Sequence, residues 1–165
     1  MAGLRLAKRP QEERRPPSLR REETLSGTWE ALIEGRVDIA VGAPTPRPGL
    51  SGIQTDVLGS VQGVFAVSPQ HPLATSRAPL TLQTLLNERW VILRDSARGW
   101  VPREVLGFKP SRRLLVGSMR DKIAAQCAGL GVGYLPRSRV QALLETGDLV
   151  VLDVEDHREP IELLL

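Results

Sequence analysis

Two periods of apolar spacing alternate along this chain. At 27–34, Trp29, Leu32 and Ile33 share one helical face, with Ser26 placed to cap the start and Gly35 to stop the end. VDIAVG at 37–42 is a nearly continuous apolar run closed by glycine, which predicts a strand covered on both faces. APTPRPGLSG (43–52) is too rich in proline and glycine to be anything but a loop. Strand-like segments at 53–58 and 61–67 follow, and Pro69 and Pro72 end the second. A further series reads helix 80–87, strands 90–95 and 112–117, helix 118–129, strand 132–136, helix 137–147, strand 148–154 and a last strand from Ile161. In 118–129, Met119, Ile123 and Cys127 repeat every fourth residue, Ser118 is placed as N-cap and Gly129 as the stop. Strands alternating with short helices predict an α/β fold on a mainly parallel sheet.

Length and composition narrow the class. The 165 residues, 41% hydrophobic and 25% charged, suit one domain or two small lobes with a real core. The net charge of +3 sits wholly in residues 1–24, where seven basic residues face four acidic ones. Pro10, Pro16 and Pro17 and a shortage of apolar residues make 1–17 a basic flexible leader by expectation. The neutral body lacks the broad array of phosphate contacts that specific duplex binding rests on. No apolar run approaches the ~20 residues of a membrane helix. The N-terminus carries charges where an export signal needs an apolar stretch, so the expected location is cytoplasmic. One cysteine and two histidines supply neither a disulfide nor a metal set, so no cofactor or metal is expected.

No enzyme constellation is present: the chain holds no G-x-S-x-G, no phosphate loop and no H-E-x-x-H. GLGVG (129–133) follows a helix and precedes a strand, the reverse of a dinucleotide loop. His71 lies in a proline-flanked turn, His157 in a charged turn, and Cys127 on an apolar helix face; Trp29 and Trp90 read as core. Trp100, in a loop after glycine, either lines a pocket or covers a gap. RDSARG (94–99) and VGSMR (116–120) follow predicted strand ends, where open α/β sheets bind ligands. Ser118 at a helix start offers free N–H groups to an anion. Spacing alone also admits plainer roles, Ser118 as a helix cap only and Ser96 as a turn residue only.

GTWEALIEGRVDIAVGAP (27–44), VFAVSPQHPLA (64–74), RDSAR (94–98) and SMRDKIAAQCAGLGVGYLP (118–136) together resemble the effector-binding half of a LysR-type transcriptional regulator. The resemblance runs from about residue 19 to the C-terminus. It implies two Rossmann-like lobes of the type 2 periplasmic-binding-protein kind, with a small effector, a carboxylate or aromatic metabolite, between them. Carried onto this chain, an incomplete first lobe spans 18–60 plus 161–165, and 61–160 holds the crossover and second lobe. The matching cleft positions are Gly42, Ala43, Ser96, Arg98, Ser118, Met119, Leu135 and Pro136. The family's winged helix-turn-helix and linker helix have no counterpart, and LRLA (4–7) is all that answers to its first strand, so a regulator fragment is expected. The implied function is effector sensing without catalysis or sequence-specific DNA binding by this chain alone. A free solute-binding protein and a dimerisation module that modulates intact regulators are the alternatives.

Overall fold

A computed structural model describes residues 20–45, 49, 52–103, 108–155 and 159–165. The leader at 1–17, the LRLA segment and His157 lie outside these residues. The helices are α1 (Ser26–Ile33), α2 (Leu82–Leu86), α3 (Met119–Cys127) and α4 (Arg137–Glu145). The strands are β1 (Ala43–Pro44), β2 (Val57–Val61), β3 (Gly63–Val67), β4 (Arg89–Leu93), β5 (Arg112–Val116), β6 (Gly133–Pro136), β7 (Val150–Val151) and β8 (Ile161–Leu164). The local signals behind α3 hold. Ser118 Oγ accepts from the Asp121 amide, and Gly129, at φ +70°, turns the chain out of the helix.

The strands form sheets ordered β1-β8-β2, β6-β3-β7 and β4-β5. Among the described residues β4–β5 is the only parallel ladder; two isolated bridges, Leu80 to Val154 and Trp90 to Val132, are also parallel. The mainly parallel sheet expected from the sequence is therefore replaced by mixed pairing. The reason is the path of 57–67, which gives β2 to the first sheet and β3 to the second while β8 returns antiparallel between β1 and β2.

Period-two alternation along β3 divides the core. Phe65 and Val67 face a cluster with Leu80, Leu85, Trp90, Val132, Leu152 and Val154, while Ala66 faces Leu135, Val140 and Leu149. Trp90 is 1% exposed, and its indole N–H donates to the Leu85 carbonyl at 2.7 Å. A third cluster joins Trp29, Ala43 and Leu164, with Trp100 packed against it. The glycines of GLGVG serve packing: a Cβ on Gly131 would overlap the Arg89 carbonyl oxygen, against which Val132 forms its bridge to β4.

The segment 37–42 is not a strand. Ile39 and Val41 are 71% and 69% exposed, and the backbone amides tied to main chain are Val37, to Ala31, and Gly42, to Leu164. Gly42 reaches β8 and Ala40 packs against the Trp29 cluster, but the side chains of Ile39 and Val41 have neither ladder nor cover among the described residues. Leu135 and Val41 should then respond oppositely to truncation. We expect Leu135→Ala to cost roughly 2–5 kcal/mol and Val41→Ser to stay within about 0.5 kcal/mol, measured by urea unfolding.

Candidate functional site

Parallel pairing of β4 with β5 brings their carboxyl ends together, Leu93 opposite Val116, and the Arg94 amide donates to the Val116 carbonyl at 2.9 Å. From there the chain leaves its sheet. Residues 94–103 cross to the first turns of α1 and lie along them.

Contact is close because Gly27 has no side chain. A Cβ there would overlap Ser96 Oγ and sit 2.7 Å from the Ser96 carbonyl carbon. Thr24 fastens the start of the loop, its hydroxyl donating to the Arg94 carbonyl at 2.6 Å and its amide to Ser96 Oγ at 2.8 Å. Ser96 Oγ donates to Glu23 at 2.6 Å, and Glu23 is paired with Arg36 at 3.0 Å. Asp95 takes the amides of Ser26 and Gly27, both at 3.1 Å, and those of Ala97 and Arg103, both at 2.9 Å. The cap of α1 is thus Asp95 from the loop, not Ser26, which the sequence pattern had placed there. Leu25, just before the helix, is held at φ +53°, a conformation side-chain-bearing residues seldom adopt.

Glu30 answers from the helix side. It is fully buried and accepts from the amides of Arg98 at 2.8 Å, Gly99 at 2.6 Å and Trp100 at 3.0 Å. Arg36 meets its other side at 2.9 Å. The Gly99 and Arg98 amides, with help from Trp100 and Arg36, hold its carboxyl below the ordinary 4.5. Partial burial works against the charge of Asp95, but the hydrogen bonds from Arg103, Ala97 and Ser26 outweigh it and hold this carboxyl below 3.8.

Beside this contact lies a cavity of about 460 Å³ lined by Glu23, Arg94, Asp95, Ser96, Ala97, Arg98 and Pro102. Of the eight positions singled out in the sequence, Ser96 and Arg98 line it. Ser118 emerges from the neighbouring strand end, where its hydroxyl donates to the Asp121 carboxylate. Met119 packs against the Leu135–Val140 cluster, and Leu135, 1% exposed, lies within that cluster. Pro136 pairs with Gly63 in the sheet. Gly42 and Ala43 sit on β8, and Ala43 shares the third cluster with Trp100. Periodicity passed over Glu23, Thr24, Glu30 and Arg36, because polar and charged residues in a helix or loop read as solvated; Arg94 and Asp95 lay within the RDSARG segment but had no role of their own. The local sign of close approach was Gly27 in the first turn of a helix.

Some other candidates have structural roles. His71 Nδ1 accepts the Leu73 amide in a turn, and burial, followed by Asp148, pushes the Cys127 thiol up. Among the described residues no group of three metal-holding side chains comes together, and no helix is long and apolar enough to cross a membrane.

The LysR substrate binding domain model matches residues 18–165. An uncharacterised HTH-type transcriptional regulator, YeeY of Escherichia coli, is 36% identical over 126 residues, 76% of this chain and 41% of that protein. The HTH-type transcriptional activator AllS of Salmonella typhimurium is 33% identical over 139 residues, 84% of this chain and 45% of its own length. The solved BenM effector binding domain with its effector benzoate superposes with a TM-score of 0.56 at 20% identity, covering 85% of this chain and 65% of that one. This chain belongs to the LysR substrate-binding domain family and has its periplasmic-binding-protein-like α/β fold. It spans less than half the length of the two transcriptional regulators.

Both clasping carboxylates titrate lower folded than unfolded, so their contribution is complete above the unfolded values and is lost as pH falls through the folded ones. Contacts between α1 and 94–103 should therefore be intact at neutral pH and weaken only below the ordinary carboxylate range, as Glu30 and Asp95 themselves protonate. Chemical shifts of the Gly27 and Gly99 amides, followed through an acid titration, check this.

Proposed function

We propose that this chain is the effector-sensing part of a LysR-type transcriptional regulator and that its effector is a small anion carrying a carboxylate. The cavity's charge balance carries the reading. Its two acids already hold donors, Glu23 the Ser96 hydroxyl and a share of Arg36, Asp95 the backbone amides. Arg94 and Arg98 line the same space, both exposed, with no carboxylate at ion-pair distance among the described residues. An incoming carboxylate therefore meets unmatched guanidinium charge of the geometry that binds it best. The relative solved with benzoate is consistent with this class.

On this reading 18–60 with 161–165 form one lobe, 61–160 supply the crossover and second lobe, and Arg98 and Ser96 are the effector-side residues among the eight foreseen. The chain works in the cytosol, performs no catalysis and does not read DNA sequence by itself. A second reading, association with regulators of the same family, is favoured by the exposed apolar side chains Ile39, Val41, Val57 and Leu58. Concentration-dependent size exclusion that Val41→Lys abolishes would support it.

The effector reading is tested by calorimetry with a panel of small carboxylates, benzoate included, each beside its neutral amide. We expect only carboxylates to bind, and Arg98→Ala to weaken them by roughly 10- to 100-fold, the worth of a hydrogen bond to a charged group. Equal binding of acid and amide would contradict it.

A further inference from the structure

We propose that residues 94–103 are a movable strap that builds the cavity wall, held against α1 by a reciprocal clasp in which Glu30 of α1 grips the strap amides and Asp95 of the strap grips the α1 amides. The inference concerns how this wall is held in place, whatever the cavity takes.

The strap's bonding shows why it is a separable unit. It is anchored to its own sheet at Arg94, through Val116, and Phe108 returns to the core edge-on to Trp90, ring centroids 5.0 Å apart. Between these anchors, the Ser96 amide goes to the Thr24 carbonyl and those of Arg98, Gly99 and Trp100 go to Glu30. The Ala97 and Arg103 amides go to Asp95, within the strap itself. No described backbone amide of 95–103 bonds to a strand. Apolar packing adds Trp100 against the Trp29 cluster, whereas Val101 is 89% exposed.

Opening therefore breaks one set of contacts together. Releasing Glu30 frees the 98–100 amides, and releasing Asp95 uncaps α1 at Ser26 and Gly27. Arg36, bonded to Glu23, Glu30 and Glu34, keeps the helix-side carboxylate partnered when the strap lifts. Arg94, Asp95, Ser96 and Arg98 all ride on the strap, so its position sets where four of the cavity's polar groups stand. Polar contacts gathered on one segment with little apolar burial are what a strap that moves as a unit requires.

The test is amide exchange on the whole chain at neutral pH, with Glu30→Gln and Asp95→Asn as separate variants and no ligand added. In each, protection at Ser96 and 98–100 should fall by roughly tenfold or more, since an amide group matches N–H donors less well than a carboxylate does. Protection at 64–67 and 133–135 should stay unchanged, and acrylamide should quench Trp100 more readily, read in a Trp29→Phe, Trp90→Phe background that retains its fold. Unchanged strap exchange in both variants would overturn the proposal. So would an equal fall across strap and core, because the carboxylates would then support the whole fold and not a separately movable strap. Neither arm uses the cavity's ligand, so failure here leaves the anion reading standing.

Discussion

A carboxylate taken wholly out of water must receive from the protein the hydrogen bonds that water gave it. Glu30 meets that demand with three loop amides and one guanidinium, and the demand fixes much else. The loop amides converge only if 94–103 lies on α1, and it lies there only because residue 27 is glycine. Once it does, Asp95 arrives at the uncapped N-terminus of α1, where a negative charge is favoured by the helix dipole as well as by hydrogen bonds. The cavity wall at Arg94, Ser96 and Arg98 follows from the same placement.

The two sides of this contact are unequally supported. β3, β6, α3 and α4 close around continuous apolar clusters. The β1-β8-β2 sheet has a small cluster in which Trp29, Ala43 and Leu164 do most of the packing, and Trp100 of the loop helps complete it. Val57 and Leu58 on β2 remain exposed, as do Ile39 and Val41. The loop thus contributes to the less complete side a ring, a helix cap and a counterpart for a buried charge. A ligand that shifts it acts on the part of the molecule with least packing of its own.

Sequence pattern revealed what local chemistry decides. α3 was legible because its cap, its apolar stripe and its terminal glycine all lie within a dozen residues, and two short apolar runs placed β4 and β5, though read to 95 and 117 where the ladder ends at 93 and 116. The segment 37–42 was misread because hydrophobicity says that cover would be favourable, not that a neighbour exists to give it. Ser26 was misread as a cap for a related reason: the true capping group, Asp95, is 69 residues away. Gln126, fully buried, escaped notice on a helix read by its apolar stripe, since its amide bridges the Ala66 and Gly133 carbonyls, which only the assembled sheet brings together. Glu30 is the largest omission. Nothing in a single helical turn distinguishes a glutamate facing water from one facing three amides of a distant loop.

In the clasp proposed above, Glu30 and Asp95 act as one device. A double-mutant cycle on the exchange of the Trp100 amide tests it most directly, comparing Glu30→Gln, Asp95→Asn and the pair together. A shared clasp predicts that the second substitution adds little once the first has freed the loop. Losses that simply add, each substitution costing as much in the presence of the other as alone, would contradict it.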